Sequence, residues 1–277
     1  MEEIAYAKIN LALHVRMREP DGYHRIETLF AFAEDGDRLR LEPGDDLTLA
    51  IEGPFAAGLG NGADNLALRA AAALRARYAV ASGAALTLDK RLPVASGIGG
   101  GSADAGAVLR LLARWWGLEA DERALLEIAA GLGADVPACV RSETVRGEGR
   151  GDHLVSQDGS GIAGTPLLLV NPGSPVATAA VFRAWDGNDK GPLPVASPLA
   201  TALGGRNDLE GPATSLLPDI AILRAALEGQ PGTLLARMSG SGATCFALFE
   251  SIAARDAAAA AIGGRFPRWW RLATRLR

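Results

Sequence analysis

Lysine is nearly missing from this chain: Lys8, Lys90 and Lys190 are the only ones, and 25 of the 28 cationic residues are arginine. The two side chains are not interchangeable, so a lysine kept in such a chain marks a place where a compact ammonium is wanted. Cysteine is as scarce. Cys139 and Cys245 lie far apart with no metal-ligand spacing around them, which argues against a disulfide scaffold or zinc site and leaves two buried thiols as the expectation. No apolar run approaches the roughly 18 to 20 residues that cross a bilayer. The opening Met1-Glu2-Glu3-Ile4 lacks the basic-then-apolar layout of an export signal, so a cytoplasmic protein with no membrane partner is expected. A net charge of −4 lacks the basic footprint of phosphate-backbone binding, and no nucleic-acid partner is expected. Several phosphate motifs are missing too. There is no Gly-Lys for a Walker A loop, Ser102 stands where the dinucleotide pattern needs its third glycine, and neither Asp-Phe-Gly nor His-Arg-Asp occurs.

What is present is a folded composition, 48% apolar and 22% charged over 277 residues, long enough for two domains. Residues 4–17 mix apolar and polar residues as a half-buried strand, and Pro20-Asp21-Gly22 then supplies a turn. Strands are expected over 25–32, 38–41 and 47–51, and helical spacing begins at 65–78. A strand over 85–88 precedes a glycine loop and a helix over 103–116, and a further helix over 121–132 opens on the N-cap candidate Asp121. Residues 147–164 turn rich in glycine, serine and aspartate and mark a boundary or crossover. Beyond it, strands over 167–170, 234–238, 244–249 and 269–273, with helices over 220–227 and 253–262, follow a ferredoxin-like α+β pattern.

The chemistry starts at the glycine loop. Gly97, Gly99, Gly100 and Gly101 expose consecutive backbone N–H groups and let a phosphate approach the positive end of a helix dipole without Cβ interference. A tight turn would use the same residues. Lys8 sits in an apolar stretch, where burial would require a partner, and Asp135 is the natural one; an exposed strand lysine and an N-cap aspartate are the alternative. Ser102 reads either as an N-cap or as a phosphate or metal contact, and Lys90-Arg91 as a solvated charge pair.

Four blocks in order carry a resemblance: Ala7-Lys8-Ile9-Asn10-Leu11, then residues 93–102 (PVASGIGGGS), Gly133-Ala134-Asp135-Val136-Pro137, and Ser239-Gly240-Ser241-Gly242-Ala243. Together they resemble the GHMP kinases, and Asp21-Gly22-Tyr23-His24, Asp64-Asn65-Leu66 and Asn207-Asp208-Leu209 narrow the likeness to members acting on a cytidine-bearing isoprenoid precursor. The resemblance implies an α+β, two-lobed GHMP kinase fold, with a ribosomal-protein-S5-like N-terminal lobe (1–155) and a ferredoxin-like C-terminal lobe (156–277). It implies ATP as phosphoryl donor, Mg2+, and a small-molecule acceptor carrying cytidine diphosphate, in a monomer or weak homodimer. Lys8 and Asp135 become the catalytic pair. Asn65, Leu66, Lys90, Pro93, Ser96, Gly97, Gly99, Gly100, Gly101 and Ser102 become the ATP site. Asn10, Tyr23, His24, Thr178 and Phe182 become the acceptor site, with Tyr23 and Phe182 sandwiching the cytosine and His24 reading its polar edge. Ser96, Ile98 and Ala103-Asp104 depart from the commoner loop pattern, so no metal ligand is named. Another GHMP kinase, for mevalonate, homoserine or a sugar, and a non-catalytic regulator on the same fold are the competing readings.

Overall fold

A computed structural model describes residues 1–277. Two compact units are interleaved along the chain, whereas the expected division is contiguous at 155/156. The first comprises residues 1–7, 35–94 and 99–142, the second residues 8–34, 95–98 and 143–277. Interleaving follows from strand length: β1 (Glu2–Arg18) and β2 (His24–Glu42) each continue from one unit into the other.

In the first unit the end of β2 pairs antiparallel with β4 (Ala84–Asp89), which pairs parallel with β3 (Leu47–Glu52). Leu39 and Leu41 stand opposite Leu88 and Leu86, and Leu49 opposite Leu86, so alternation places one apolar face inward. Helices α1 (Leu66–Arg77), α2 (Gly100–Trp115), α3 (Glu122–Ala130) and α4 (Val136–Arg141) complete this unit. The buried stripe of α1 is Ala67, Ala70, Ala71 and Leu74, whose small side chains suit close helix packing. The two strands expected over 25–32 and 38–41 are one. Asp35-Gly36-Asp37 resembles a turn, yet a Cβ at Gly36 would lie 1.9 Å from the Ala5 carbonyl oxygen, and the close approach keeps β2 continuous.

In the second unit the start of β2 pairs with β5 (Val145–Glu148), and β5 with β6 (His153–Ser156). The stretch expected to be a boundary therefore contains a hairpin. Next come β7 (Pro166–Asn171), α5 (Thr178–Arg183), α6 (Pro198–Gly204), α7 (Glu210–Leu216), α8 (Asp219–Glu228), β8 (Thr233–Met238), β9 (Cys245–Phe249), α9 (Ile252–Arg265) and β10 (Trp270–Arg275). Their sheet runs β10-β7-β9-β8, all antiparallel, in keeping with the ferredoxin-like α+β pattern expected. Val170, Leu223, Leu227, Phe249 and Ile262 anchor its core. Helices α5 to α7 are short and lack a long apolar period, so they carry no helix signal in the sequence. Both cysteines are buried and free. No helix is long and apolar enough to cross a membrane.

Candidate active site

The N-terminus of α2 lies three residues earlier than the spacing predicts. Gly99, at φ 64°, takes the N-cap position with no side-chain capping bond, and the Ala103 N–H already closes on the Gly99 carbonyl at 2.7 Å. By helix geometry the N–H groups of Gly100, Gly101 and Ser102 then have no acceptor within the helix, and together with the dipole they form a cradle for an anion. Ser102 is therefore a partly exposed first-turn residue and not the N-cap.

Beneath this turn is a buried ionic cluster that the sequence does not announce. Lys90 is 3% exposed, and its Nζ lies 2.5 Å from Asp37 Oδ2 and 2.6 Å from Asp104 Oδ2. The solvated-pair expectation for Lys90 is thus corrected: burial demands partners, and two carboxylates supply them. Asp37 Oδ1 also accepts the N–H groups of Arg91 and Leu92, at 2.5 and 2.8 Å, fixing the chain that leads into Pro93. A Cβ at Gly100 would sit 3.1 Å from the Lys90 Nζ, so the ammonium underlies the first residue of α2. Burial raises the Asp104 pKa to about 7, against the pull of Lys90 and with the charge of Asp37 adding to the rise. Asn65 caps α1, accepting the Ala67 N–H at 2.9 Å and donating to the Gly60 carbonyl, with the half-buried Leu66 following. The half-buried Asp135 takes the N-cap position of α4, as the alternative expects, but makes no side-chain capping bond there.

The second unit holds the other residues. Lys8 is buried, not an exposed strand lysine; its Nζ donates to Asn10 Oδ1 at 2.9 Å and lies 4.9 Å from the Phe30 ring centroid. Asn10 is fixed in turn, donating Nδ2 to Thr28 Oγ1 at 2.8 Å and its N–H to Ser239 Oγ at 3.1 Å. The Ser239 hydroxyl donates to the Gly97 carbonyl at 3.0 Å, and the Thr244 N–H to the Ser96 carbonyl at 3.0 Å. Gly97 is obligatory here, since at φ 79° its Cβ would lie 2.4 Å from the Ser239 carbonyl oxygen. The fourth motif block thus meets Ser96-Gly97 directly. Asn207, whose Nδ2 donates to the Met238 and Gly240 carbonyls at 2.8 Å each, braces that block from α7's leading turn.

Aromatic side chains gather elsewhere in the same unit. The His24 ring is 5.1 Å from Phe182 and 5.7 Å, edge-on, from the buried Trp185. Arg18 Nε donates to His24 Nε2 at 3.2 Å, which leaves the proton on Nδ1, and burial with the Arg18 charge lowers the imidazole pKa. Thr178 sits one turn before Phe182 on α5, its hydroxyl 2.9 Å from that of Ser241. Tyr23 is exposed, and its ring lies under the Arg150 guanidinium at 4.0 Å. Trp185, Arg18, Asp37, Asp104 and Ser239 join the site residues expected from the sequence. Of these, Ser239 lies within a quoted block and Asp104 within the departure at Ala103-Asp104, and the other three carry no signal in the sequence.

Comparison with known proteins gives one consistent result. Residues 65–143 match the family described as GHMP kinases N terminal domain, and residues 196–268 match GHMP kinases C terminal. A 4-diphosphocytidyl-2-C-methyl-D-erythritol kinase of Rhizorhabdus wittichii is 61% identical over 277 residues, spanning 99% of this chain and 94% of its own. The enzyme of the same name from Sphingopyxis alaskensis is 52% identical, covering 100% and 99%. A crystal structure of 4-(cytidine 5′-diphospho)-2C-methyl-D-erythritol kinase superposes with a TM-score of 0.82 at 37% identity, covering 100% of this chain and 99% of that one.

Proposed function

The chain belongs to the GHMP kinases, and on that premise we propose that it phosphorylates the 2-hydroxyl of 4-diphosphocytidyl-2-C-methyl-D-erythritol, giving the 2-phosphate for isoprenoid precursor synthesis. ATP is the phosphoryl donor of this small-molecule kinase. Its phosphates sit on the N–H groups of Gly100, Gly101 and Ser102, with Ser96, Gly97 and Gly99 shaping the loop and Asn65, Leu66, Lys90 and Pro93 supporting the nucleotide side. Lys90 acts there through α2, since its ammonium is engaged by Asp37 and Asp104.

The acceptor oxygen attacks the γ-phosphorus as the bond to the β–γ bridging oxygen breaks and ADP leaves. Asp135 orients the hydroxyl and takes its proton, and the Lys8 ammonium, steadied by Asn10, neutralises charge on the transferring group. The cytosine is held by Tyr23, His24 and Phe182, with Thr178 beside Phe182 on α5. No group of three or more His, Cys, Asp or Glu could hold a metal on its own. Mg2+ binds chiefly to phosphates and water and needs one or two protein oxygens; the partly exposed Ser102 hydroxyl, in the first turn of α2, would be one. Held there, the ion would supply positive charge against the phosphates. The protein works in the cytoplasm, as a monomer or weak homodimer.

One observation carries the acceptor half: a His24–Phe182 ring pair, with Tyr23 exposed next in sequence, in a chain 61% identical over 99% of its length to a kinase named for this acceptor. ADP release with Mg-ATP and the cytidine acceptor is the test. Turnover is expected. Binding of both ligands without turnover contradicts a kinase, and turnover of mevalonate or homoserine alone contradicts the acceptor.

A further inference from the structure

An exposed tyrosine offered to a flat ligand is a poor platform unless something holds it, because fixing a free side chain costs entropy at the moment of binding. Tyr23 is 58% exposed, yet it is held. The β5–β6 turn carries Arg150 at its tip, between Gly149 and Gly151 with φ of 69° and 97°. That turn is itself anchored, since the Gly149 carbonyl accepts the Ile26 N–H at 2.7 Å and Asp152 Oδ1 accepts the Arg150 N–H at 3.0 Å.

From this base the guanidinium reaches Glu19 Oε2 through Nε at 3.1 Å and Nη2 at 2.8 Å, and also bonds Asp21 through Nη2. Those carboxylates bracket the turn that presents Tyr23. Asp21 Oδ1 accepts the Tyr23 N–H at 3.1 Å, and the Glu19 N–H donates to the Tyr23 carbonyl at 2.7 Å. The guanidinium carbon then lies 4.0 Å from the Tyr23 ring centroid, covering one face. Only a planar fork can bond two carboxylates and stack on a ring at once.

We infer that Arg150 is a positioning residue for the acceptor: it clamps the 19–23 turn and covers one face of Tyr23, leaving the other face set to receive an aromatic base. The inference rests on the reading of Tyr23 as a contact for the cytosine. Arg150 touches no reacting atom. Arg150 and Arg25 face Glu19 and Asp21 in a cluster with no net charge, so Arg150 acts through the ring and not by attracting the substrate's diphosphate.

The test combines kinetics with a probe of the free protein. Arg150→Ala should raise the acceptor KM about five- to tenfold while kcat and the ATP KM stay within twofold. Arg150→Lys should recover little of the loss, having charge without the fork. In a Tyr23→Ala background, Arg150→Ala should add nothing further. In the ligand-free protein with 13C-labelled tyrosine, Arg150→Ala should shift the Tyr23 ring resonances, and unchanged thermal unfolding would exclude a folding defect. A full additional KM effect in the Tyr23→Ala background would overturn the inference, as would full rescue by lysine or unshifted ring resonances. If Tyr23→Ala itself leaves the acceptor KM unchanged while the ring resonances do shift, the reading of Tyr23 fails and takes the inference with it.

Discussion

The two candidate binding regions are built on opposite principles. On the nucleotide side, the first turn of α2 rests on Asp37, Lys90 and Asp104, each at most 4% exposed, so its geometry is set by buried charge before any ligand arrives. On the acceptor side, Tyr23 is exposed and Phe182 half-buried, and their arrangement depends on ring contacts and surface ion pairs. A phosphate cradle can be assembled from backbone and buried ions, because its ligand offers only charge and oxygen atoms. A base must be met by apolar area, which has to be left uncovered.

Substitutions separate the two regions by what each one costs. The largest effect is expected from Asp135→Ala, which belongs to the chemistry and to neither binding region: kcat should fall about 10²- to 10⁴-fold. ATP affinity should stay within a few fold, and near-normal turnover would remove Asp135 from the mechanism. Next is Lys90→Ala, which leaves two buried carboxylates without their cation. A loss of about 3–5 kcal/mol of stability is expected in denaturant unfolding, and a loss under 1 kcal/mol would show that the cluster does not support the fold. Phe182→Ala should weaken acceptor binding by about 1–2 kcal/mol and leave the ATP KM unchanged; an unchanged acceptor KM would argue against stacking.

The smallest effect concerns pH. The folded protein holds the Asp104 proton up to about pH 7, whereas an unperturbed carboxyl releases it near 3.8. Stability contributed by this group is therefore full below the unfolded value and is lost as pH rises toward 7. Asp104→Asn should flatten that dependence, so that its melting temperature at pH 8 approaches its value at pH 5. A variant as pH-sensitive as the wild type over this window would place the titration elsewhere.

How legible each region was in the sequence follows from the same contrast. The glycine loop is written in consecutive residues, because backbone N–H groups become available only where glycines and a helix start coincide, and the loop's place before α2 follows directly. The strands of the ferredoxin-like sheet were legible as apolar runs. The ionic cluster was not. Asp37 lies in an Asp35-Gly36-Asp37 stretch that reads as a turn, and its use depends on a chain segment more than fifty residues away, where Arg91 and Leu92 donate to it. Nor does Trp185 announce itself, since its edge contact with His24 arises from the packing of α5, a six-residue helix with no period to detect. Lys8 and Asn10 stand between these cases. Their spacing of two places both on one face of β1, yet only the fold shows that Asn10 is locked by Thr28 and Ser239.

The claim at the centre is that the aromatic region recognises a base. The direct measurement compares kcat/KM for 4-diphosphocytidyl-2-C-methyl-D-erythritol with that for the same alcohol lacking the cytidine, both at saturating Mg-ATP. Two ring contacts of about 1–3 kcal/mol each predict a loss of about 30-fold or more without the base. Equal values for the two acceptors would contradict the account.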